Sequence, residues 1–142
     1  MTNFADPENP HYFYPEVFEG LTFIKIEGMQ KDSAEIQFTT TDGQNFKMFH
    51  SQRCCELVLL NDMTGDVADL LNTPILIAEK RISGKRVKGC LATYVTQPQV
   101  DNIYLWSYYT FRTIKGTVTL RWYGESNGEY AVAVSIGKMR AV

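Results

Sequence analysis

The densest group of chemically capable side chains in this sequence is His50-Ser51-Gln52-Arg53-Cys54-Cys55-Glu56. A histidine, two thiols and a carboxylate so close together are the ligand types that zinc takes. Zinc needs four groups converging on one point, and neighbours on a strand point to opposite faces. Cys54 and Cys55 therefore converge only where the backbone bends. No Cys-x-x-Cys or His-x-x-x-His pair elsewhere in the sequence completes a tetrahedron. The plainer expectation is two small cysteines buried in a core, beside a histidine hydrogen-bonded at a strand end. The same stretch pairs a cysteine with a histidine, but no nucleophile elbow or oxyanion signature accompanies it.

A second cluster is Asp62, Asp66 and Asp69. On a helix these positions share a face, and carboxylates together suit Mg²⁺. Acids at a helix start also simply favour the dipole. The candidate metal ligands are thus His50, Cys54, Glu56, Asp62 and Asp66, and a metal-dependent phosphodiesterase or nuclease would use Asp62, Asp66, His50 and Glu56. The chain has no Walker motif and no Gly-x-Gly-x-x-Gly fingerprint, so no cofactor is expected.

The third group is aromatic. Tyr104, Trp106, Tyr108, Tyr109, Trp122 and Tyr123 crowd two late segments, with Arg112 and Arg121 among them. Aromatic faces and cations together can stack a base and hold phosphate. On a strand, Trp106 and Tyr108 share one face and Tyr109 takes the other, so part of this set must be core. After Trp122 comes a polar turn, Gly124-Glu125-Ser126-Asn127-Gly128. Asn127-Gly128 satisfies a tight hairpin, while Glu125 and Ser126 are not needed by that geometry. The ligand-binding set read from the sequence is Trp106, Tyr108, Arg121, Trp122, Glu125, Ser126, Asn127 and Tyr130. Lys85, Arg86 and Lys88 of a basic loop join it.

These groups must be positioned by mostly extended elements. Residues 1–20 read as an arm, broken by Pro7, Pro10 and Pro15 and given grip by Phe4, Tyr12, Phe13, Tyr14 and Phe18. Pro15 can open a single helical turn closed by Gly20. Residues 21–142 read as one globular domain. Period-two patterning predicts strands over 21–28, around Ile36 and Phe38, and through Phe46, Met48 and His50. Asp42-Gly43 makes the hairpin between the last two. Cys55 to Leu60 reads as a fourth strand, followed by a short helix capped by Asp62 or Thr64 and carrying Val67, Leu70 and Leu71. Strand character resumes at 75–82. A long loop or hairpin occupies 83–102, then strands follow at 103–112, 116–123 and 129–136. The expected fold is α+β and β-rich. It is a mainly antiparallel twisted sheet of about eight strands with one or two short helices.

Composition narrows the classes. The 142 residues are 44% hydrophobic and 13% aromatic, enough to bury a core without staples. No apolar run is long enough to span a membrane, and the N-terminus lacks a signal-peptide pattern. Three cysteines, two of them adjacent, make a poor disulfide framework and suit a reducing compartment. Net charge is −2, but it is unevenly spread. Residues 1–72 carry 12 acidic and 4 basic side chains; residues 73–142 carry 4 and 10. Such a distribution can steer a partner to one end or let copies associate.

Two blocks resemble a known family. One is His50 to Glu56, followed by Asp62, Gly65, Asp66 and Leu70. The other is Trp106-Ser107-Tyr108-Tyr109 with Arg121-Trp122-Tyr123-Gly124-Glu125-Ser126-Asn127-Gly128-Glu129-Tyr130. Together, over roughly residues 18–136, they resemble small bacteriophage proteins classed as a domain of unknown function. Arg53 and Glu129 depart from that family's pattern. The resemblance implies phage origin, expression in the cytoplasm of the bacterial host, and an accessory role that blunts host defence. The expected function is therefore non-enzymatic binding. The expected partner is a host defence protein or a nucleotide-type small molecule, with self-association into a homo-oligomer through the arm or an edge strand. Nucleic acid is the less favoured ligand.

Overall fold

A computed structural model describes residues 5–6, 9–83, 85–86, 93–94, 103–126 and 131–139. The order begins β1 (Ala5–Asp6), β2 (Asn9–Phe13), a 3₁₀ turn (Pro15–Phe18), β3 (Phe23–Glu27), β4 (Glu35–Thr40) and β5 (Asn45–Phe49). It continues through β6 (Leu57–Thr64), a second 3₁₀ turn (Val67–Leu70), β7 (Ile77–Ser83), β8 (Lys85–Arg86) and β9 (Thr93–Tyr94). It ends with β10 (Ile103–Arg112), β11 (Thr117–Ser126) and β12 (Ser135–Met139).

The strands form two main antiparallel sheets, where the sequence suggested one. The first has the order β1-β2-β12-β5-β4-β3, the second β6-β11-β10-β7, and β8 pairs with β9 apart from both. There are more than eight strands, and the only helical elements among the described residues are the two 3₁₀ turns. The chain is thus β-rich and antiparallel as expected, without the α component.

The reason lies in the alternation. β4 and β11 each bury every second residue. Each sheet therefore has one apolar face, and two such faces are satisfied by each other. Phe38, Phe46 and Met48 of the first sheet meet Phe111, Val118, Leu120 and Trp122 of the second in one core. Phe18, fully buried in the 3₁₀ turn, sits at its centre, with ring centroids 4.9–6.0 Å from those of Phe23, Phe38, Phe46 and Phe111. The arm docks on its own chain: Tyr12 meets Phe49 edge-on, and Phe13 meets Phe46.

Three local expectations change. The predicted helix after Asp62 is absent because β6 runs on to Thr64, Met63 pairing with Leu120 and Thr64 with Thr119. Gly65 then turns the chain at positive φ, and Asp66, not Asp62 or Thr64, caps the 3₁₀ turn by accepting from the Ala68 N–H at 3.0 Å. Strand β6 starts at Leu57 rather than Cys55. The last strand begins at Ser135, although Val132 and Val134 before it already alternate into the core. Gly124 is required here, since a Cβ at that position would stand 2.7 Å from the Val132 Cβ. Within 83–102, expected as a long loop or hairpin, β8 pairs antiparallel with β9; residues 84, 87–92 and 95–102 lie outside the described residues.

Candidate binding face

The second sheet has an inner and an outer face, and the outer one is built by strand parity. On β10, Leu105, Ser107, Tyr109 and Phe111 are buried, so Tyr104, Trp106, Tyr108 and Thr110 face out. On β11, Val118, Leu120, Trp122, Gly124 and Ser126 are inside, so Thr119, Arg121, Tyr123 and Glu125 face out. Register then sets the neighbours. Trp106 lies opposite Tyr123 and Tyr108 opposite Arg121, while Arg81 of β7 lies opposite Tyr108 on the far side.

The result is a row of stacked groups. The Tyr104 and Tyr123 rings are 6.1 Å apart, and those of Trp106 and Tyr123 4.7 Å. The Arg121 guanidinium lies 5.1 Å above the Trp106 ring, and that of Arg81 lies 5.2 Å above Tyr108. Cations over ring faces are held by the ring quadrupole. Arg121 is also positioned from β6. The register shifts between Arg121 and Trp122, leaving Asn61 as an extra residue. The Asn61 Oδ1 accepts from Arg121 Nε at 3.0 Å and Nη2 at 2.7 Å. Asp62 stands further off, at 3.9 Å.

At the top of the row the Tyr123 hydroxyl donates to Glu125 at 2.7 Å. Burial pushes the Tyr123 pKa well up, and the Glu125 carboxylate adds to it, so the phenol stays protonated. Below the row the face drops into two open depressions that share Tyr108 and Thr119. One, of about 120 Å³, is bounded by Asp62, Thr64 and Arg121; the other, of about 340 Å³, by Glu79, Lys80, Arg81 and Thr110. Each arginine thus has a carboxylate near it, Asp62 across the strand from Arg121 and Glu79 two residues before Arg81.

The sequence-derived ligand set is split by this geometry. Trp106, Tyr108, Arg121 and Glu125 come together on the outer face. Trp122 and Ser126 point the other way, 1% and 7% exposed, so this face is built without them. Asn127, Tyr130 and Lys88 lie outside the described residues, and of Lys85 and Arg86 only the backbone is described. Tyr104, Tyr123, Asn61 and Arg81 complete the row. The two tyrosines were legible from parity with Trp106 and Arg121; Asn61 and Arg81 depend on cross-strand register, which sequence does not carry.

The metal candidates do not gather, and no group of three or more metal-ligating side chains occurs among the described residues. Asp62 belongs to the outer face and Asp66 to its cap. Cys54 and Cys55, expected as buried core residues, are exposed and joined to each other by a disulfide. The turn they occupy serves Glu56, whose side chain is wholly buried. Glu56 accepts from the Cys54 N–H at 2.8 Å, the Arg53 N–H at 3.2 Å and His50 Nε2 at 2.8 Å. Burial alone would raise this carboxyl's pKa; the hydrogen bonds from His50 and the two N–H groups outweigh it and hold it at about 2. His50 Nδ1 reaches the Ala133 carbonyl at 2.7 Å. Both ring nitrogens of His50 therefore face protein oxygen atoms. The expectation of a histidine hydrogen-bonded at a strand end holds.

Residues 19–136 match the family described as a domain of unknown function, DUF7448. The chain belongs to that family. The match takes in both the outer face and the His50–Glu56 turn. No curated protein and no solved structure matches the chain. No helix among the described residues is long and apolar enough to cross a membrane.

Proposed function

We propose that this DUF7448 protein acts by binding and that the outer face of the β6-β11-β10-β7 sheet is its contact surface. In this reading it is a phage accessory protein that occludes a host defence protein in the bacterial cytoplasm. The observation that carries it is the row Tyr104, Tyr123, Trp106, Arg121, Tyr108 and Arg81, standing partly in solvent over a core already filled from the other side of the same strands. Trp, Tyr and Arg are the residues that dominate protein interfaces, because each buries a large, stiff surface and keeps a polar handle. The presence of Glu79 and Asp62 beside Arg81 and Arg121 suits a mixed-charge protein surface better than a polyanion.

A nucleotide-type ligand is the second reading. Tyr108 between two arginines offers stacking and phosphate contacts, but the adjoining depressions are open, whereas small-molecule sites enclose most of their ligand. Native mass spectrometry of protein purified from a bacterial host separates the two. A host protein held in fixed ratio, lost in Trp106→Ala and Arg121→Glu but kept in Ile24→Ala on the opposite sheet, supports the first. A retained small mass lost in the same variants supports the second. Identical spectra for wild type and the outer-face variants would remove this face from the function.

A further inference from the structure

The disulfide between Cys54 and Cys55 serves neither core packing nor the closure of a long loop. Cysteines that serve packing are buried, and these two are exposed. A disulfide that serves stability does so largely by closing a long loop in the unfolded chain. This one joins residues one apart in sequence, so it constrains little beyond their own peptide bond. That peptide bond is part of the turn whose Arg53 and Cys54 N–H groups cradle the buried Glu56 carboxylate. Glu56 in turn holds His50, and His50 holds Ala133. Whatever happens at the two sulfurs is therefore covalently next to a hydrogen-bonded pair that ties the end of β5 and the start of β6 to the segment before β12.

We propose that Cys54 and Cys55 are a reversible dithiol–disulfide couple, and that its closed state fixes the turn that cradles Glu56 and His50. The co-reactant is a thiol of low molecular mass. Its thiolate attacks one exposed sulfur, the Cys54–Cys55 bond breaks as a mixed disulfide forms, and the other cysteine leaves as a thiolate and takes a proton from water. A second thiol attacks the mixed disulfide and releases the first cysteine. Two external thiols are oxidised to their disulfide while the protein pair gains two electrons and two protons. Opening the bond frees the Cys54–Cys55 backbone, and the N–H cradle of Glu56 loosens with it. The site is independent of the proposed binding face and stands or falls without it.

The test uses the full chain carrying Cys90→Ser, so that the third thiol cannot exchange. The protein is equilibrated with oxidised glutathione or dithiothreitol, quenched in acid and alkylated. The oxidised form is expected to take up no alkyl group, and the reduced form one each at Cys54 and Cys55, with full return on reoxidation. By NMR, the His50 imidazole signals and the Arg53 and Cys54 amide signals are expected to shift between the two forms. The variant with Cys54→Ser and Cys55→Ser should show the reduced positions. The proposal is overturned if both cysteines stay alkylatable in oxidised glutathione or end as separate glutathione adducts. It is equally overturned if the bond opens and closes while the His50 signals stay in place.

Discussion

The molecule contains two aromatic assemblies, and they differ in kind. Between the sheets lie Phe18, Phe23, Phe38, Phe46 and Phe111, each at most 2% exposed, the other four rings gathered around Phe18. On the outer face lie Tyr104, Trp106, Tyr108 and Tyr123, interleaved with Arg81 and Arg121. The first set has no polar atom to satisfy and contributes through area removed from water. The second carries hydroxyl, indole and guanidinium groups on a partly exposed face, where Tyr123 is held by Glu125 and Arg121 by Asn61. The two sets lie on opposite sides of β10 and β11, so strand parity alone separates the core from the face proposed for binding.

The largest effect that tests this division belongs to the inner set. Phe18→Ala should destabilise the fold by about 3–5 kcal/mol, because the ring lies at the centre of a shared core and leaves a cavity; denaturant titration reads this directly. Glu56→Gln should follow, at about 3 kcal/mol, since it leaves the His50 imidazole without its carboxylate in a buried turn. Its pH signature is specific. The Glu56 pKa is lowered from 4.5 to about 2, so its contribution is fully present above pH 4.5 and is lost as pH falls toward 2. Unfolding midpoints compared at pH 6 and pH 3 should therefore converge between wild type and Glu56→Gln at the acid end. Gly124→Ala should cost about 1–3 kcal/mol by forcing a methyl group against Val132. The smallest effect on stability belongs to the outer face. Trp106→Ala should change it by about 1 kcal/mol or less, the worth of an exposed stacking contact, while abolishing partner retention. A Trp106→Ala protein as unstable as Phe18→Ala would erase the distinction between the two assemblies.

Much of this arrangement was legible beforehand. The bounds of β10 were read from its mostly β-branched and aromatic run, and the β4–β5 hairpin from Asp42-Gly43, where Gly43 takes φ +84°. The opposite facing of Tyr108 and Tyr109 followed from period two. The same rule separates Arg121 from Trp122 and Glu125 from Ser126, so grouping all four as ligand contacts conflicted with a signal already present. The expected helix over 62–71 failed for another reason. Three apolar residues at helical spacing supply one turn's worth of contacts, and pairing with β11 claimed Met63 and Thr64 first.

What the sequence settled without help is periodicity: which residues alternate, where most turns fall, and hence that the chain is β-rich and mainly antiparallel, with surplus aromatics near its end; the α component it also suggested is absent among the described residues. These are local properties, set by side chains a few residues apart. Which strands pair, that Asn61 and Arg81 reach Arg121 and Tyr108, that Ala133 receives His50, and that two adjacent cysteines turn outward were decided by the tertiary structure. Those contacts join residues tens of positions apart, and their geometry exists only once two apolar faces have closed on each other.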